Sequence, residues 1–340
     1  MKYDQFGRKL NLSLVNFNDG EILDLSAFHV TFKTEAADLE TPNNAEIRVY
    51  GLSRDTISNI ILAGKGLEFG GVLLKAGYIN GNFGTIFTGQ IKQYKHGKDS
   101  PTSMYLDILA ADGDVEYNET IINYSLAAGS GATLQAEIDK INSQMLPGTK
   151  PAISLINNTD PLYRPAIRGK VAFGMGRLRL RDIAKTIGSS WSIQQGNLTF
   201  IGNNVTGDNI VTELTPETGL VGIPEQTNEG IKATCLMNSS LRIGSLVRIP
   251  IELINSLNYN AKVTNGLPYN VRSGSPVNIA PLSRGGLYFI FVVEHEGDTR
   301  GNNWYTNVVG LAIFDDQMLV EDYPEPEPAS GSIGIGYEGD

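Results

Sequence analysis

The sequence predicts a mainly β chain with an α+β insert, and three observations carry that reading. Short β-prone runs bounded by Gly, Asn, Asp and Pro fill the chain to about Asn118 and return from Gly230. Two segments with helical spacing lie between these blocks. Thirty-eight glycines against two tryptophans mark a chain with many turns and modest aromatic packing.

In order, Leu10–Val15, Ala27–Lys33, Ala45–Tyr50, Val72–Ala76, Ile86–Lys95 and Ser103–Ala111 read as strands. Ser53–Ala63 reads as a helix, with Ser53 as N-cap, Ile57, Ile60 and Ile61 at helical spacing, and Gly64 as its stop. Gly97–Ser100 separates two alternating runs, so 86–111 is a hairpin whose Met104, Leu106, Ile108 and Ala110 share a face. The texture changes near Glu119. Leu134, Ile138, Ile141 and Met145 trace one face of a helix that Pro147-Gly148 closes. A second helix runs over Leu180–Ile187, with Ile183, Ala184 and Ile187 inward and Gly188 as its stop. Gln195-Gly196-Asn197 then joins Ser190–Gln194 to Leu198–Gly202 as a tight hairpin. Strands resume as Ile231–Leu236, Ser245–Ile251, Leu287–His295 and Trp304–Phe314. The chain therefore divides into a β section (1–118), a small α/β module (119–225), a second β section (226–320) and a tail (321–340).

One echo links the two β sections. His96-Gly-Lys-Asp99 and His295-Glu-Gly-Asp298 each follow a long β run, with an aromatic nine residues after the histidine, Tyr105 and Trp304. Chance and a duplicated hairpin both account for it.

The chain carries ten net negative charges, and six acids with no base lie between Glu321 and Asp340, so the preceding 320 residues are only mildly acidic. Such a body argues against a free-standing nucleic-acid binder. The Pro-Glu repeat and the Gly/Ser run make the tail unable to bury a core. Within it Ile333, Ile335 and Tyr337 alternate with small residues, a pattern able to add a strand to an open edge. No apolar run approaches a membrane span, so no stable membrane insertion is expected. The N-terminal stretch lacks a secretory signal's apolar core.

Catalytic chemistry finds little support. Cys235 lies in the apolar run ATCLM as a buried thiol, and one cysteine excludes an internal disulfide. His29 belongs to an alternating strand, while His96 and His295 are expected at exposed hairpin ends. Ligand-type residues are too few and scattered for a metal or cofactor site. Gly129-Ser-Gly-Ala-Thr133 precedes a helix and is read as its cap. Arg164, Arg168, Lys170, Arg177, Arg179, Arg181 and Lys185 form a basic cluster relieved by Asp182, either a solvated face or a docking surface. Arg177, Arg179, Arg181, Ile333, Ile335 and Tyr337 are the candidate partner-binding residues.

An ordered set of stretches resembles the baseplate hub proteins of contractile phage tails, a family that includes the hub portion of type VI secretion spike proteins. It comprises Leu23-Asp-Leu-Ser26 with Phe28–Phe32, Thr41–Ser53, Leu74–Tyr78, Ile86–Ile91, Leu109–Asp114, Phe173–Leu198, Leu241–Ile249 and Leu287–Gly310. The resemblance implies two tube-like β-barrel domains flanking the α/β module and a homotrimeric ring. It also implies partners: the tail tube or its initiator, a central spike and other baseplate proteins, with DNA only in transit. The expected location is the virion baseplate after synthesis in the host cytoplasm, with no enzymatic activity. A tail-tip cell-wall hydrolase and a carbohydrate-binding adhesin are the alternatives. The first lacks a catalytic constellation, and the second lacks an aromatic platform, because Trp191 and Trp304 sit in core-like or hairpin patterns.

Overall fold

The alternating runs of the first section become β1 (Arg8–Val15), β2 (Ile22–Asp24), β3 (His29–Ala37), β4 (Asn43–Tyr50), β5 (Gly71–Tyr78), β6 (Phe83–Lys98) and β7 (Met104–Asp112). The computed structural model describes residues 5–16, 20–65, 70–101, 103–129, 131–145, 154–156, 160–202, 211–227, 230–254 and 286–313. Helix α1 (Arg54–Lys65) starts as its sequence indicates: the Thr56 N–H donates to Ser53 Oγ at 3.0 Å. Its Ile57 and Ile60 enter the core beneath β1, β3, β4, β5 and β7. Met104, Leu106, Ile108 and Ala110 of β7 do share the inward face.

The middle section holds α2 (Asp114–Glu119), β8 (Ile121–Leu126), α3 (Leu134–Gln144), β9 (Ser154–Ile156), β10 (Lys170–Met175), α4 (Gly176–Ile187), β11 (Ser189–Gln194) and β12 (Asn197–Gly202). Thr133 caps α3 by accepting the Ala136 N–H at 3.0 Å, so the Gly129–Thr133 stretch serves the helix. Gly188 ends α4 in the left-handed region. Gln195 and Gly196 take φ of 53° and 75°, the two positive values that a two-residue hairpin needs to match strand twist. Trp191, Tyr117, Ile138, Ile141, Leu180 and Phe200 fill this section's own core.

The rest comprises β13 (Val211–Glu213), β14 (Leu220–Gln226), β15 (Ile231–Leu236), β16 (Leu246–Arg248), β17 (Leu287–Asp298) and β18 (Trp304–Ala312). The expected strand Ser245–Ile251 is shorter because Pro250 has no N–H and leads into a 3-10 turn. A third core gathers Val247, Tyr288, Ile290, Val293, Val308 and Cys235.

Thirteen described strands form one largely antiparallel sheet in the order β14-β15-β18-β17-β3-β4-β7-β6-β5-β1-β2, with β16 and β13 attached at β17. Among the described residues this path is open at both ends. Strands β8 and β10 form a separate pair, and β9, β11 and β12 a third sheet.

The pairings reveal a repeat. In β6–β7, Gln90↔Ala111 and Ile91↔Ala110 precede a bulge, and the ladder resumes from Gln93↔Leu109 to Lys98↔Met104. In β17–β18, Phe289↔Leu311 and Ile290↔Gly310 precede a bulge, and the ladder resumes from Val292↔Val309 to Gly297↔Trp304. The two ladders match pair for pair. The match extends to β4·β7 and β15·β18, where Ala45↔Ala110 answers to Ile231↔Gly310. It extends to β5·β6 and β16·β17, where Val72↔Gly89 answers to Val247↔Tyr288. It reaches β3·β4 and β14·β15, where Val30↔Val49 answers to Leu220↔Cys235. Strands β3–β7 and β14–β18 are therefore one five-strand unit used twice, in the same chain order and the same sheet order. The sequence echo was a true one, misaligned by a residue. Tyr105 answers to Tyr305 and Met104 to Trp304, because the second hairpin loop is longer by one.

The two units join edge to edge. β17 has β18 along one side; its other side is shared, with β16 on Leu287–Phe289 and β3 on Val292–Asp298. The β17–β18 tip reaches into the first core. Trp304 packs edge-on to Phe32 at 5.6 Å, the Arg8 guanidinium lies over its ring, and His29 meets Asp298 at 2.8 Å. Gly297 is required there, since a Cβ would come within 2.3 Å of the Phe32 ring.

Candidate functional site

With strand ladders satisfying most backbone groups, the sites able to engage another molecule are those where a ladder stops or an apolar side chain stays outside. Among the described residues, two strand edges of the repeated units stop in this way. β6 is paired by β5 up to Gln90 and by β7 from Gln90 onward, on opposite sides, so no described strand lies along the outer side of Lys95–Lys98. β14 ends the sheet, and among the described residues Val221–Glu225 pairs only with β15. That stretch carries a bulge with Pro224 and exposes Val221 and Ile223, the latter 68%.

A third surface belongs to the middle section. In the β8–β10 pair, Ile122, Tyr124 and Ala172 face the core, while Val171 and Phe173 point outward, each 81% exposed, beside exposed Ile121 and Leu178. An outward apolar strip of this size is a feature of docking surfaces.

The basic cluster is not one uniform face. Arg177 is exposed and donates to Asn118 Oδ1 at 3.3 Å. Arg179 is turned inward, where its Nε donates to the buried Glu137 at 2.8 Å alongside Lys170. Arg181 pairs with Glu40 of the β3–β4 loop and ties the middle section to the first sheet. Two of the three candidate arginines thus hold the chain's own parts together. Ile333, Ile335 and Tyr337 lie outside the described residues.

A cavity of about 330 Å³ opens where the two repeats meet the β11–β12 hairpin, lined by Asn43, Asp112, Gln195, Arg242 and His295 among others. His295 is buried, contrary to the exposed hairpin end expected for it. The hairpin runs three residues further, to Asp298, and Nδ1 meets Thr306 Oγ1 at 2.9 Å. Burial, with the Arg242 charge nearby, pushes its pKa down to about 4. Burial pushes Asp112 up to about 7, although its carboxylate accepts the Gly196 N–H at 2.9 Å. Cys235 is buried, and desolvation raises its pKa to about 12, which leaves an inert thiol. Among the described residues, no group of three His, Cys, Asp or Glu side chains could hold a metal ion.

These buried groups set a pH dependence of stability. A protonated Asp112 in the fold and an ionised one in the unfolded chain cost stability as pH rises from about 4 to 7. His295 acts oppositely, losing stability as pH falls from about 6.5 towards 4. Asp112→Asn is expected to match the parent near pH 4 and to exceed it by roughly 1–3 kcal/mol at pH 8. Urea melts at the two pH values test this, and an equal difference at both would contradict it.

Comparison with known proteins follows the same lines. A family profile described as "Baseplate hub gp41" matches residues 15–276, well over half of the chain. The fold resembles the tail protein from Neisseria meningitidis MC58 at a TM-score of 0.53 and 10% identity, over 90% of this chain and 96% of that one. It also resembles the 43 kDa tail protein of prophage MuSo2 from Shewanella oneidensis, at 0.52 and 9%, over 90% and 97%. No curated protein matches the sequence.

Proposed function

The chain belongs to the baseplate hub gp41 family, and from that membership we propose that three copies form a ring joining the tail tube to a central spike. The family is a structural one of the phage tail baseplate, so the chain is a virion tail component. One observation supports the ring most: the five-strand unit is present twice in each chain, with the same registers. Three chains then present six near-equivalent units, as a sixfold tube requires of a threefold adaptor. The two units are read as tube-like β-barrel domains at 1–118 and 226–320, flanking the 119–225 module. β14, which opens the second unit, and β13 both fall within that central span of sequence and hydrogen-bond into the second unit of the large sheet, so that unit starts ahead of residue 226.

The ring surrounds a channel for genome passage. A mildly acidic body suits that role, because a negative lumen does not hold phosphates. Other baseplate proteins dock on the outside, where Arg177 and the Val171/Phe173 strip are available. The tail at 321–340, with Ile333, Ile335 and Tyr337, adds to the spike or a neighbouring hub chain. Reconstruction of assembled tails is expected to show three copies of this chain. A chain ending at residue 320 should keep that ring and lose spike. Six copies, one per sixfold position, would overturn the trimer, and full spike occupancy with the shortened chain would overturn the role of the tail.

A further inference from the structure

Resting on that ring, we infer that neighbouring chains are joined by strand addition: β14 of one copy lies antiparallel along the Lys95–Lys98 edge of β6 in the next. The repeat supplies the argument. Within one chain, β3 of the first unit occupies the outer side of β17 in the second. The counterpart of β17 is β6, and the stretch matching the β3-covered part of β17 is the edge that no described strand occupies. The counterpart of β3 is β14, the strand that ends the sheet. The joint made once inside the chain therefore has both of its halves left over for a second use. Six strands separate these halves in the open sheet, so the second use needs another copy.

The chemistry at the transferred register is complementary. In the internal joint Lys33 lies across from Glu296. Glu225 takes the place of Lys33, since each pairs with an equivalent residue, Lys232 and Glu46. Gly97 takes the place of Glu296. Glu225 then faces a glycine and lies diagonal to Lys95 on one face of the new pair, between an edge bearing Lys95, His96 and Lys98 and a strand preceded by Glu217. Exposed Val221 and Ile223 gain cover. The bulge at Gly222–Pro224 and the edge lysines are devices that deter indiscriminate strand pairing. They leave a partner of opposite charge at the same register as the one admitted. Because two different edges meet, the contact is head-to-tail and closes into a ring rather than a two-fold dimer.

Cross-linking tests this in tails assembled with variant full-length chains. Lys95 and Glu225 are exposed, so cysteine at either is tolerated, and diagonal cross-strand Cβ atoms lie about 7–8 Å apart, within reach of a short bismaleimide. The double variant K95C/E225C is expected to give a covalent ladder, and each single variant none, with buried Cys235 silent. No ladder in tails that contain the hub, or self-linking of K95C alone, would overturn the edge pairing. The top of the ladder tests the ring separately. Three chains support it, and a ladder ending at another number would overturn the trimer while leaving the strand addition standing.

Discussion

Trp304→Ala is expected to remove about 3–5 kcal/mol of stability, the usual cost of emptying a large aromatic from a core. Trp304 begins β18 in the second unit, yet it packs among residues of the first: it is 1% exposed, edge-on to Phe32, and covered by the Arg8 guanidinium. The same hairpin tip places Asp298 on His29 and Thr299 on the Val30 N–H. Loss of the indole therefore loosens the β3–β17 joint as well as a core. Chemical denaturation gives the magnitude, and hydrogen exchange gives the place, with amides of β3 and the distal half of β17 losing protection before those of β15. A loss below about 1 kcal/mol, or exchange confined to β18, would show that the tip is not what binds the two units.

Most strands of the two β sections were legible because their inward residues alternate and their ends carry Gly, Asn or Pro, whereas three-residue β2 and the bulged β14 escaped that pattern. Ile57 and Ile60 of α1, and Leu134, Ile138 and Ile141 of α3, were legible for the matching helical reason, and both helices have the N-caps their sequences indicate, although α1 runs through the expected stop at Gly64 to Lys65 and Pro147-Gly148 lies outside the described residues. β8 and β10 were not. In β10 the exposed Val171 and Phe173 are more apolar than the inward Ala172 and Gly174, which inverts the alternation that marks a half-buried strand, and in β8 exposed Ile121 beside buried Ile122 blurs it. The repeat was half legible: the histidine echo identified the right hairpins, and only pairing could reveal a loop longer by one residue. The candidate edges could not be read at all. Whether the outer side of Lys95–Lys98 is occupied depends on which distant strand lies there, and no local pattern encodes that. The ion pairs of the arginine run were hidden for a related reason, since the partners of Arg179 and Arg181 are Glu137 and Glu40, far from them in sequence.

Glu137→Ala is expected to cost about 3–4 kcal/mol near neutral pH, because it strips the shared counter-charge from two cations. The Glu137 side chain is almost wholly buried on α3, where it accepts from the Tyr124 hydroxyl at 2.9 Å, from Arg179 of α4 and from Lys170 of β10. One carboxylate thus ties together four elements of the middle section. Burial pushes its pKa up, but the bonds from Lys170, Arg179 and Tyr124 outweigh that and hold it below the ordinary glutamate value. The sign of the pH effect follows. The stabilisation is present above the unfolded glutamate pKa and is lost as pH falls through the lower folded value. Glu137→Gln keeps the shape and a bond to Tyr124 while losing both ion pairs, so it should fall between the parent and the alanine variant at pH 7. Parent and glutamine variant should converge in acid. Urea melts from pH 7 down to about pH 3 measure this. If Glu137→Gln equals the parent at pH 7, the ion pairs contribute nothing and packing alone holds α3 to α4. If the gap is there and closes in acid, Arg179 is committed to the fold, and partner docking on this helix falls to Arg177.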